Sequence, residues 1–415
     1  MILWVWLSLC YSSNSTIPKK LIEYFGTPRA AFEASEEECK ILTRRPEPLF
    51  NKNIDRAMDI VEYVKSNNIG IITYNSPEFP KRLKALDNCP ILLYYVGNLY
   101  DFDSSPSIGV VGTRNYTPQG ERVTKRISYD LARSGFTIVS GLAKGIDSFS
   151  HKAALYNKSR TTAILGCGID VIYPSENREL TLRIYENGLV MTEFAPGTPP
   201  AAYNFPARNR IISALSDGLL VTECALKSGT IITADHAFKH NIPVYMCNKL
   251  CGDATGYLKA RGAFGVTGSD EITSCFNDCY PELKLLKDIP AVELHPEEII
   301  INVKPLPAFT PGTPAFVSAG TVYDALTYNE EAVITAQVYE YVQPSSKKKV
   351  PKKDFGNLSE EEKTVIERLK GKCLYIDELA DESLSVPLLL RILTSLEIKG
   401  FVNAPVGGKY AVNLD

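Results

Sequence analysis

The chain has 415 residues, of which 45% are hydrophobic and 22% are charged, and this composition excludes a disordered or fibrous protein as the class of the whole chain. The length corresponds to roughly two to four domains. The formal net charge of -3 excludes a general attraction to polyanions, so any nucleic-acid site has to be a local basic cluster.

The opening segment, MILWVWLSLC, is apolar but short. No lysine or arginine precedes it, and the polar stretch Tyr11 to Thr16 has no clear small-residue cleavage site, which favours a buried first helix over a signal peptide. No later apolar run reaches the roughly 18 residues of a membrane-spanning helix. We therefore expect a cytoplasmic protein without a membrane partner.

Residues 1–70 have the apolar spacing of helices, as at Met58, Val61 and Val64. Gly26 is typical of a helix end that is followed at once by a new helix. This part of the chain is predicted to be a small helical domain.

After residue 70, short strand-like runs alternate with helical segments. The predicted strands are Ile91 to Val96, Ile108 to Val111, Thr137 to Val139, Thr162 to Leu165, Leu189 to Thr192, Gly218 to Glu223 and Pro243 to Met246. The predicted helices are Gly120 to Arg133, Ser148 to Tyr156, Asn177 to Asn187 and Ile232 to His240. This alternation predicts an α/β domain over residues 71–280, with a Rossmann-like, doubly wound and mostly parallel sheet.

Residues 281–356 are rich in proline and contain the lysine run SSKKKVPKK. This composition indicates a linker. The lysines could touch a phosphate backbone, although a solvated linker is the favoured interpretation.

Residues 357–415 are predicted to contain three helices, Ser359 to Leu369, Ile376 to Ala380 and Pro387 to Ile398, followed by a β-hairpin around Gly407 and Gly408. This order is typical of a winged helix, whose third helix often enters a DNA groove. Here the only cations near the third helix are Arg391 and Lys399. A protein-contact or structural role is therefore favoured over DNA contact, and both remain open.

Four of the ten cysteines form two pairs with three residues between partners: Cys247, Cys251, Cys275 and Cys279. Zinc sites most often use tighter spacings, and no histidine lies within this stretch. Reduced, partly buried thiols are favoured, while a metal site remains open.

Three loops that follow predicted strands are rich in glycine. The first, in GVVGTRNYTPQG, contains Gly112 and Arg114; the second, in SGLAKGID, contains Lys144; the third is in ILGCGIDVIYP. Glycine lets backbone N–H groups approach an anion, and arginine offers a planar fork to phosphate oxygens. In a parallel sheet these loops meet at the carboxyl edge, where ligands bind.

The segment FPARNRII places Arg208, Asn209 and Arg210 before an apolar run, an arrangement that predicts a polyanion clamp. One of the three could instead be a buried brace, which we expect of Arg210 or Asn209 more than of Arg208.

The segment TECALKSGTIITA places Lys227, Ser228, Gly229 and Thr230 at a predicted helix start. Hydroxyl groups and free backbone N–H groups at that position also favour an anion.

The sequence contains few candidate catalytic residues and lacks the common catalytic motifs. Glu193, Glu223, Asp147 and Asp170 could act as acids or bases, but capping and orienting roles explain them equally well, and Asp147 is expected to cap the helix at Ser148. The chain has no HExxH motif, Walker loop or nucleophile elbow. We therefore expect no cofactor and no catalysis.

The sequence resembles the DprA/Smf family, the DNA-processing proteins of bacterial transformation, in the order and spacing of six blocks. These blocks are GTR at Gly112, SGLAKGID, GCGIDVIYP, TEFAPGTPP, FPARNRII and KSGTIITA. Upstream, Ser76 to Gly97 is similar to that family's entry into its Rossmann-like domain. The match runs from Ser76 to Ala263, and the flanks resemble the family's helical SAM-like domain and its optional winged helix.

The resemblance implies a homodimer that binds and shields single-stranded DNA and helps to load a RecA-type recombinase onto it. It implies that phosphates are held or attracted by Gly112, Arg114, Lys144, Arg208, Asn209, Arg210, Lys227, Ser228, Gly229 and Thr230. Tyr173 or Phe205 would stack a base. The chain departs from the family pattern over residues 243–263, near the edge that resembles the dimer and recombinase surface.

Two other functions remain open. The wider Rossmann-like group includes LOG-type nucleotide phosphoribohydrolases, but ALKSGTIITA lacks their doubled glycine and following glutamate. The second is a regulator whose winged helix binds a specific duplex.

Overall fold

The computed structural model describes residues 1–43, 49, 51–279 and 304–310 and parts of 358–412. The chain divides into two compact units, Met1–Ala319 and Gly320–Asp415. Within the described residues, no helix is both long enough and apolar enough to cross a bilayer.

The N-terminal part of the first unit is helical, as predicted. Its helices are α1 (Ile2–Cys10), α2 (Ile17–Phe25), α3 (Pro28–Glu33), α4 (Glu36–Leu42) and α5 (Asp55–Ser66). The expectation of a buried first helix is confirmed, because Val5, Trp6 and Leu7 of α1 are almost fully buried. These helices share a hydrophobic core with the neighbouring sheet, as the contacts of Tyr94 and Val190 show.

Nine strands of the described chain form one sheet, in the order β1-β2-β6-β5-β4-β3-β7-β8-β9. The strands are β1 (Gly70–Thr73), β2 (Leu92–Gly97), β3 (Ser107–Val111), β4 (Thr137–Ser140), β5 (Thr161–Ile164), β6 (Leu189–Thr192), β7 (Gly218–Val221), β8 (Val244–Cys247) and β9 (Phe264–Val266). Every pair from β6 to β9 in this order is parallel. The predicted Rossmann-like, mostly parallel sheet is thereby confirmed.

The helices that accompany the sheet are α6 (Lys81–Lys84), α7 (Pro118–Arg133), α8 (Ile146–Tyr156), α9 (Arg178–Asn187), α10 (Asn204–Ala214), α11 (Gly229–Lys239), α12 (Ala254–Ala260) and α13 (Ser269–Cys279). Strand β3 pairs with β4 on one side and with β7 on the other. The chain order therefore reverses at β3, and the loops after β3 and β7 flank the crevice where a ligand binds in such sheets.

Part of the segment predicted as a linker packs against the first unit. The backbone N–H of Phe309 donates to Asp170 Oδ2 (2.9 Å), and the Phe309 ring lies edge-on to Tyr63 with 5.4 Å between centroids. Tyr63 also donates its hydroxyl proton to the carbonyl of Pro307. We call residues 304–310 the strap.

The second unit contains α14 (Glu360–Leu369), β10 (Cys373–Tyr375), α15 (Ile376–Leu379), β11 (Val402–Asn403) and β12 (Lys409–Val412). Its strands form an antiparallel sheet in the order β10-β12-β11. Six positions of the predicted third helix are helical: Leu388, Leu389, Ile392, Leu393, Ser395 and Leu396. Arg391, Lys399 and the lysine run lie outside the described residues, so the winged helix and its role stay predictions.

Candidate functional site

The loop after β3 is held close to the loop after β7. The backbone N–H of Thr113 donates to Glu223 O (2.7 Å), and a Cβ at Gly112 would lie 2.5 Å from Ile146 Cγ1. Only glycine fits there, because the neighbouring side chain is part of the buried core. The packing leaves Arg114 exposed, with its guanidinium 5.3 Å from the centroid of the Phe205 ring.

Glu223 caps the helix that follows this loop. Its Oε2 accepts from Thr117 N (3.0 Å) and Thr117 Oγ1 (3.3 Å), and Thr117 Oγ1 itself accepts from Gly120 N. A carboxylate at a helix N-terminus is favoured by the helix dipole. The carboxylate of Glu223, one of the possible acids or bases, therefore already accepts hydrogen bonds from the start of α7.

The loop after β4 is organised by Asp147. Its Oδ2 accepts from Gly141 N (3.2 Å) and Ala143 N (3.4 Å). The expectation that Asp147 caps the helix is wrong, because α8 begins at Ile146, two residues before the predicted start at Ser148, and its N-cap is Gly145. Burial raises the pKa of Asp147, and nearby Arg208 opposes that shift. In the same loop Lys144 is exposed.

Arg208 lies beneath these loops and ties two strand ends together. Its Nη1 donates to Gly141 O (2.8 Å) and to the carbonyl of Ile164, and its Nε donates to Asn209 Oδ1 (3.0 Å). Burial lowers the pKa of Arg208 to about 10, so the guanidinium stays charged at neutral pH. Arg208 is thus a buried cation in the floor of the site, where an exposed phosphate contact was expected.

Arg210 does not face the site at all, which corrects its prediction as a phosphate contact. Its five N–H donors are all used: Nε to Asn88 O, Nη1 to Glu193 Oε1 and Ala207 O, and Nη2 to Glu193 Oε2 and Ser13 O. Only 1% of the side chain is exposed. Arg210 is therefore the buried brace that the sequence allowed for this position.

The loop after β7 presents an incomplete hydrogen-bonding site. Ser228 occupies the N-cap position of α11 but makes no side-chain cap, and its buried Oγ has no partner among the described residues. Lys227 and Gly229 are exposed, whereas Thr230 is buried. The Asn209 side chain joins this loop to α10 through Nδ2, which donates to Gly229 O (3.3 Å). An anion at this helix start would accept a hydrogen bond from the Ser228 hydroxyl and would be stabilised by the helix dipole.

The two aromatic residues predicted to stack a base lie together. The rings of Tyr173 and Phe205 have centroids 5.5 Å apart and an interplanar angle of 31°, and both side chains are half-buried. Arg114 covers the Phe205 ring as well. Arg114, Tyr173 and Phe205 form what we call the aromatic-arginine cluster.

The cysteines do not converge on a metal in the described part of the chain. No group of three or more metal-ligating side chains occurs there. Cys247 and Cys251 are both buried, but they pack into different hydrophobic clusters. The side chain of Cys279 lies outside the described residues, so its participation is not tested.

Fold and site together define a Rossmann-like α/β protein with exposed Arg114, Lys144 and Lys227 at the carboxyl edge of its sheet. The family model of DNA recombination-mediator protein A matches residues 70–277. The chain belongs to this family.

Individual relatives match different shares of this chain and of their own length. Protein Smf of Synechocystis is 44% identical over 188 residues, which are 45% of this chain and 47% of that protein. DNA processing protein DprA of Streptococcus pneumoniae is 38% identical over 203 residues, 48% of this chain and 71% of that protein. The X-ray structure of DprA from the same species has a TM-score of 0.56 and 30% identity, covering 63% of this chain and 93% of that one. The chain thus matches about half the length of the Synechocystis protein.

Proposed function

We propose that this chain binds single-stranded DNA at the carboxyl edge of its sheet and shields it without catalysing a reaction. The observation that carries the proposal is the buried, unpartnered Ser228 hydroxyl at the start of α11. An unmade hydrogen bond of this kind costs about 1–3 kcal/mol, and a phosphate oxygen would remove that cost. Lys227, on the preceding position, is exposed and adds positive charge.

The aromatic-arginine cluster supports a single strand over a duplex. Base faces are accessible in a single strand but covered in a duplex, and an aromatic ring binds any base face. Phe205 is only half-buried, and Arg114 next to it supplies a cation for the adjoining phosphate. The buried Arg208 adds a fixed positive charge beneath the proposed path of the single-stranded DNA.

The proposal extends to a partner and a place of action. The family's description as recombination mediators, together with the DNA-processing names of the relatives, supports a protein that passes its strand to a RecA-type recombinase in the cytoplasm. Transformation or recombination of incoming DNA is the process in which such a transfer is needed.

We further propose that the protein acts as a homodimer. Phe264 on β9, the edge strand of the sheet, and Ile232 on helix α11 are large apolar residues that are 54% and 39% exposed. Apolar side chains on an exposed sheet edge are typical of an association surface. Light scattering on the wild type and on Phe264→Glu tests this: a dimer that becomes a monomer supports it, and a monomeric wild type contradicts it.

Fluorescence anisotropy with labelled oligo(dT) and a duplex of equal length tests the DNA proposal. We expect the wild type to prefer the single strand, and Arg114→Ala to weaken binding about 10-fold to 100-fold because a charge-assisted phosphate contact is lost. Ser228→Ala should weaken binding less and leave the free energy of unfolding unchanged or higher. Arg126→Ala, at an exposed arginine paired with Asp130, is the matched control.

Two outcomes would overturn the proposal. Preference for a specific duplex, lost when residues 357–415 are deleted, would favour the regulator. Release of free base from nucleoside monophosphates over many turnovers, abolished by Glu223→Gln, would favour the hydrolase. We expect neither, because the Glu223 carboxylate is already bonded to the start of α7.

A further inference from the structure

A second cleft, with both apolar and polar lining residues, lies beside the candidate site, between the N-terminal helices and the sheet. It has a volume of about 380 Å³, within the usual range of small-ligand pockets. One wall is the turn between α1 and α2, with Ser12, Ser13 and Asn14; the other includes the segment that leads into α10. The phosphate and stacking residues predicted from the sequence do not include any residue of this cleft.

The walls of the cleft are fixed relative to each other. Arg210 donates to Ser13 O on the helical side (2.8 Å) and to Glu193 on the sheet side (2.6 and 2.7 Å). Lys19 adds a second tie, since its Nζ donates to Lys84 O (2.7 Å) and Leu86 O (3.0 Å). A cleft held open in this way can bind a ligand without first being ordered.

The chemistry of the cleft suits a nucleotide. Tyr203 stands at its rim and is 73% exposed, and Arg56 on α5 is exposed and forms no ion pair within the described residues. Among the described lining residues, Glu193 is the one carboxylate, and Arg210 neutralises it. The cleft therefore offers an aromatic face, an available cation and small hydrogen-bonding groups, without a free negative charge to repel a phosphate.

The cleft and the aromatic-arginine cluster are also adjacent in the chain. Tyr203 is the residue immediately before α10, and Phe205 lies in the first turn of that helix. A strand whose base rests on Phe205 needs to extend only a short way to bring a neighbouring base to Tyr203.

We propose that this cleft is a second nucleotide subsite, in which Tyr203 stacks a base of the same single strand and Arg56 binds its phosphate. The inference rests on the proposed DNA-binding function and deepens it. It assigns to the helical domain a direct share in holding the strand, in addition to its packing on the sheet.

The test is the affinity of the full-length protein for oligo(dT) strands of about 4 to about 16 nucleotides. For strands long enough to reach both subsites, we expect Tyr203→Ala to weaken binding about 5-fold to 100-fold, the range of a lost base stack, and Tyr203→Phe to bind as the wild type does. Arg56→Ala should lower the slope of log affinity against log salt by about 0.7, the share of one phosphate contact. The shortest strands should bind all variants equally.

Tyr24→Ala is the matched control, because Tyr24 is an exposed tyrosine (56%) on α2 that does not line the cleft. If Tyr203→Ala and Arg56→Ala bind long strands as tightly as the wild type while Arg114→Ala does not, the subsite is refuted and the proposed function stands. If the wild type binds no single strand of any length, the proposed function itself fails. Crosslinking of strands that carry a photoreactive base should mark Tyr203, and crosslinks confined to Phe205 and Tyr173 would contradict the subsite.

Discussion

Arg208 and Arg210 lie two positions apart on α10 and meet different partners. Residues two apart on a helix point in different directions, so one arginine reaches the ends of β4 and β5 while the other reaches Glu193 and the turn after α1. The sequence predicts cations at this helix start, but it does not predict which of them is buried. That depends on carbonyls and a carboxylate that are distant in the chain.

Removing one partner of the buried ion pair between Arg210 and Glu193 should lower the free energy of unfolding more than replacing both partners does. Arg210→Met leaves a buried, unpaired carboxylate, and we expect it to lower the free energy of unfolding by about 3–5 kcal/mol. The double variant Arg210→Met/Glu193→Leu should recover part of that loss, because no buried charge remains, while the carbonyls of Asn88 and Ser13 still lack their donor. Urea denaturation, followed by the fluorescence of Trp4 and Trp6, measures both.

The surface pair of Arg126 with Asp130 is the control for this prediction, and Arg126→Met should change the free energy of unfolding little. An Arg210→Met variant as stable as Arg126→Met would show that Arg210 does not brace the N-terminal helices against the sheet.

His151 should make the fold sensitive to acid. Its side chain is fully buried, Nδ1 lies 2.7 Å from Thr161 Oγ1, and burial, assisted by Arg208, lowers its pKa to about 3. An unfolded histidine takes up a proton near pH 6.5, so between about 6.5 and about 3 the unfolded chain binds more protons than the folded one. Stability contributed by neutral His151 is therefore complete above about pH 6.5 and falls as the pH falls, by about 1.4 kcal/mol per unit.

The measurement is the free energy of unfolding of the wild type and of His151→Gln between about pH 6.5 and about pH 4. The wild type should lose more stability per pH unit than the variant, by roughly the slope given above. His240→Gln, at a partly exposed histidine, should differ less from the wild type. Parallel pH curves for the wild type and His151→Gln would contradict the assignment.

At the scale of elements, the predicted strands from Ile91 to Met246 all occur, with bounds shifted by no more than two residues. Buried parallel strands are continuous apolar runs, which the sequence displays directly. The antiparallel direction of β1 against β2 and of β2 against β6 was not predicted, because apolar runs do not indicate pairing direction. Strand β9 was missed because it has three residues, and Phe264 and Gly265 are exposed.

The same reasoning explains how much of the site could be predicted. Parallel strands end at one edge, so the glycine loops after β3, β4 and β5 had to be neighbours of one another and of the loop after β7. The contacts of Thr113 with Glu223 and of Arg208 with Gly141 are consistent with this expectation. A capping role was one of the alternatives for Glu223, but the helix that it caps and the docking of the strap depend on long-range contacts that have no local signal in the sequence.

The strap should depend on Asp170. Its carboxylate accepts from Gly197 N (2.8 Å) through Oδ1 and from Phe309 N (2.9 Å) through Oδ2, so one side chain holds a loop of the sheet domain and the strap together. We expect Asp170→Ala to speed hydrogen exchange at the amides of both Gly197 and Phe309.

Glu176→Ala, at an exposed carboxylate that makes no backbone hydrogen bond among those described, should leave both amides unchanged. Faster exchange at Gly197 alone, with Phe309 as protected as before, would mean that the ring contact with Tyr63 holds the strap without Asp170.

At the scale of the whole molecule, the net charge of -3 means that the protein as a whole repels DNA, so binding has to come from a local field. Screening by salt then distinguishes a contact from a general charge effect. Each phosphate neutralised on a single strand contributes about 0.7 to the slope of log affinity against log salt, whereas a distant charge contributes little beyond a Debye length of about 10 Å.

Arg114→Ala and Lys81→Ala lower the net charge equally, but the two residues lie at opposite edges of the sheet. The backbone N–H of Lys81 donates to Asp103, in the loop that enters β3, whereas Arg114 follows the end of β3. We expect Arg114→Ala to reduce the salt slope by about 0.7 and Lys81→Ala to leave it unchanged. Equal reductions in both variants would mean that the strand responds to the charge of the whole protein, and that the carboxyl edge holds no phosphate of its own.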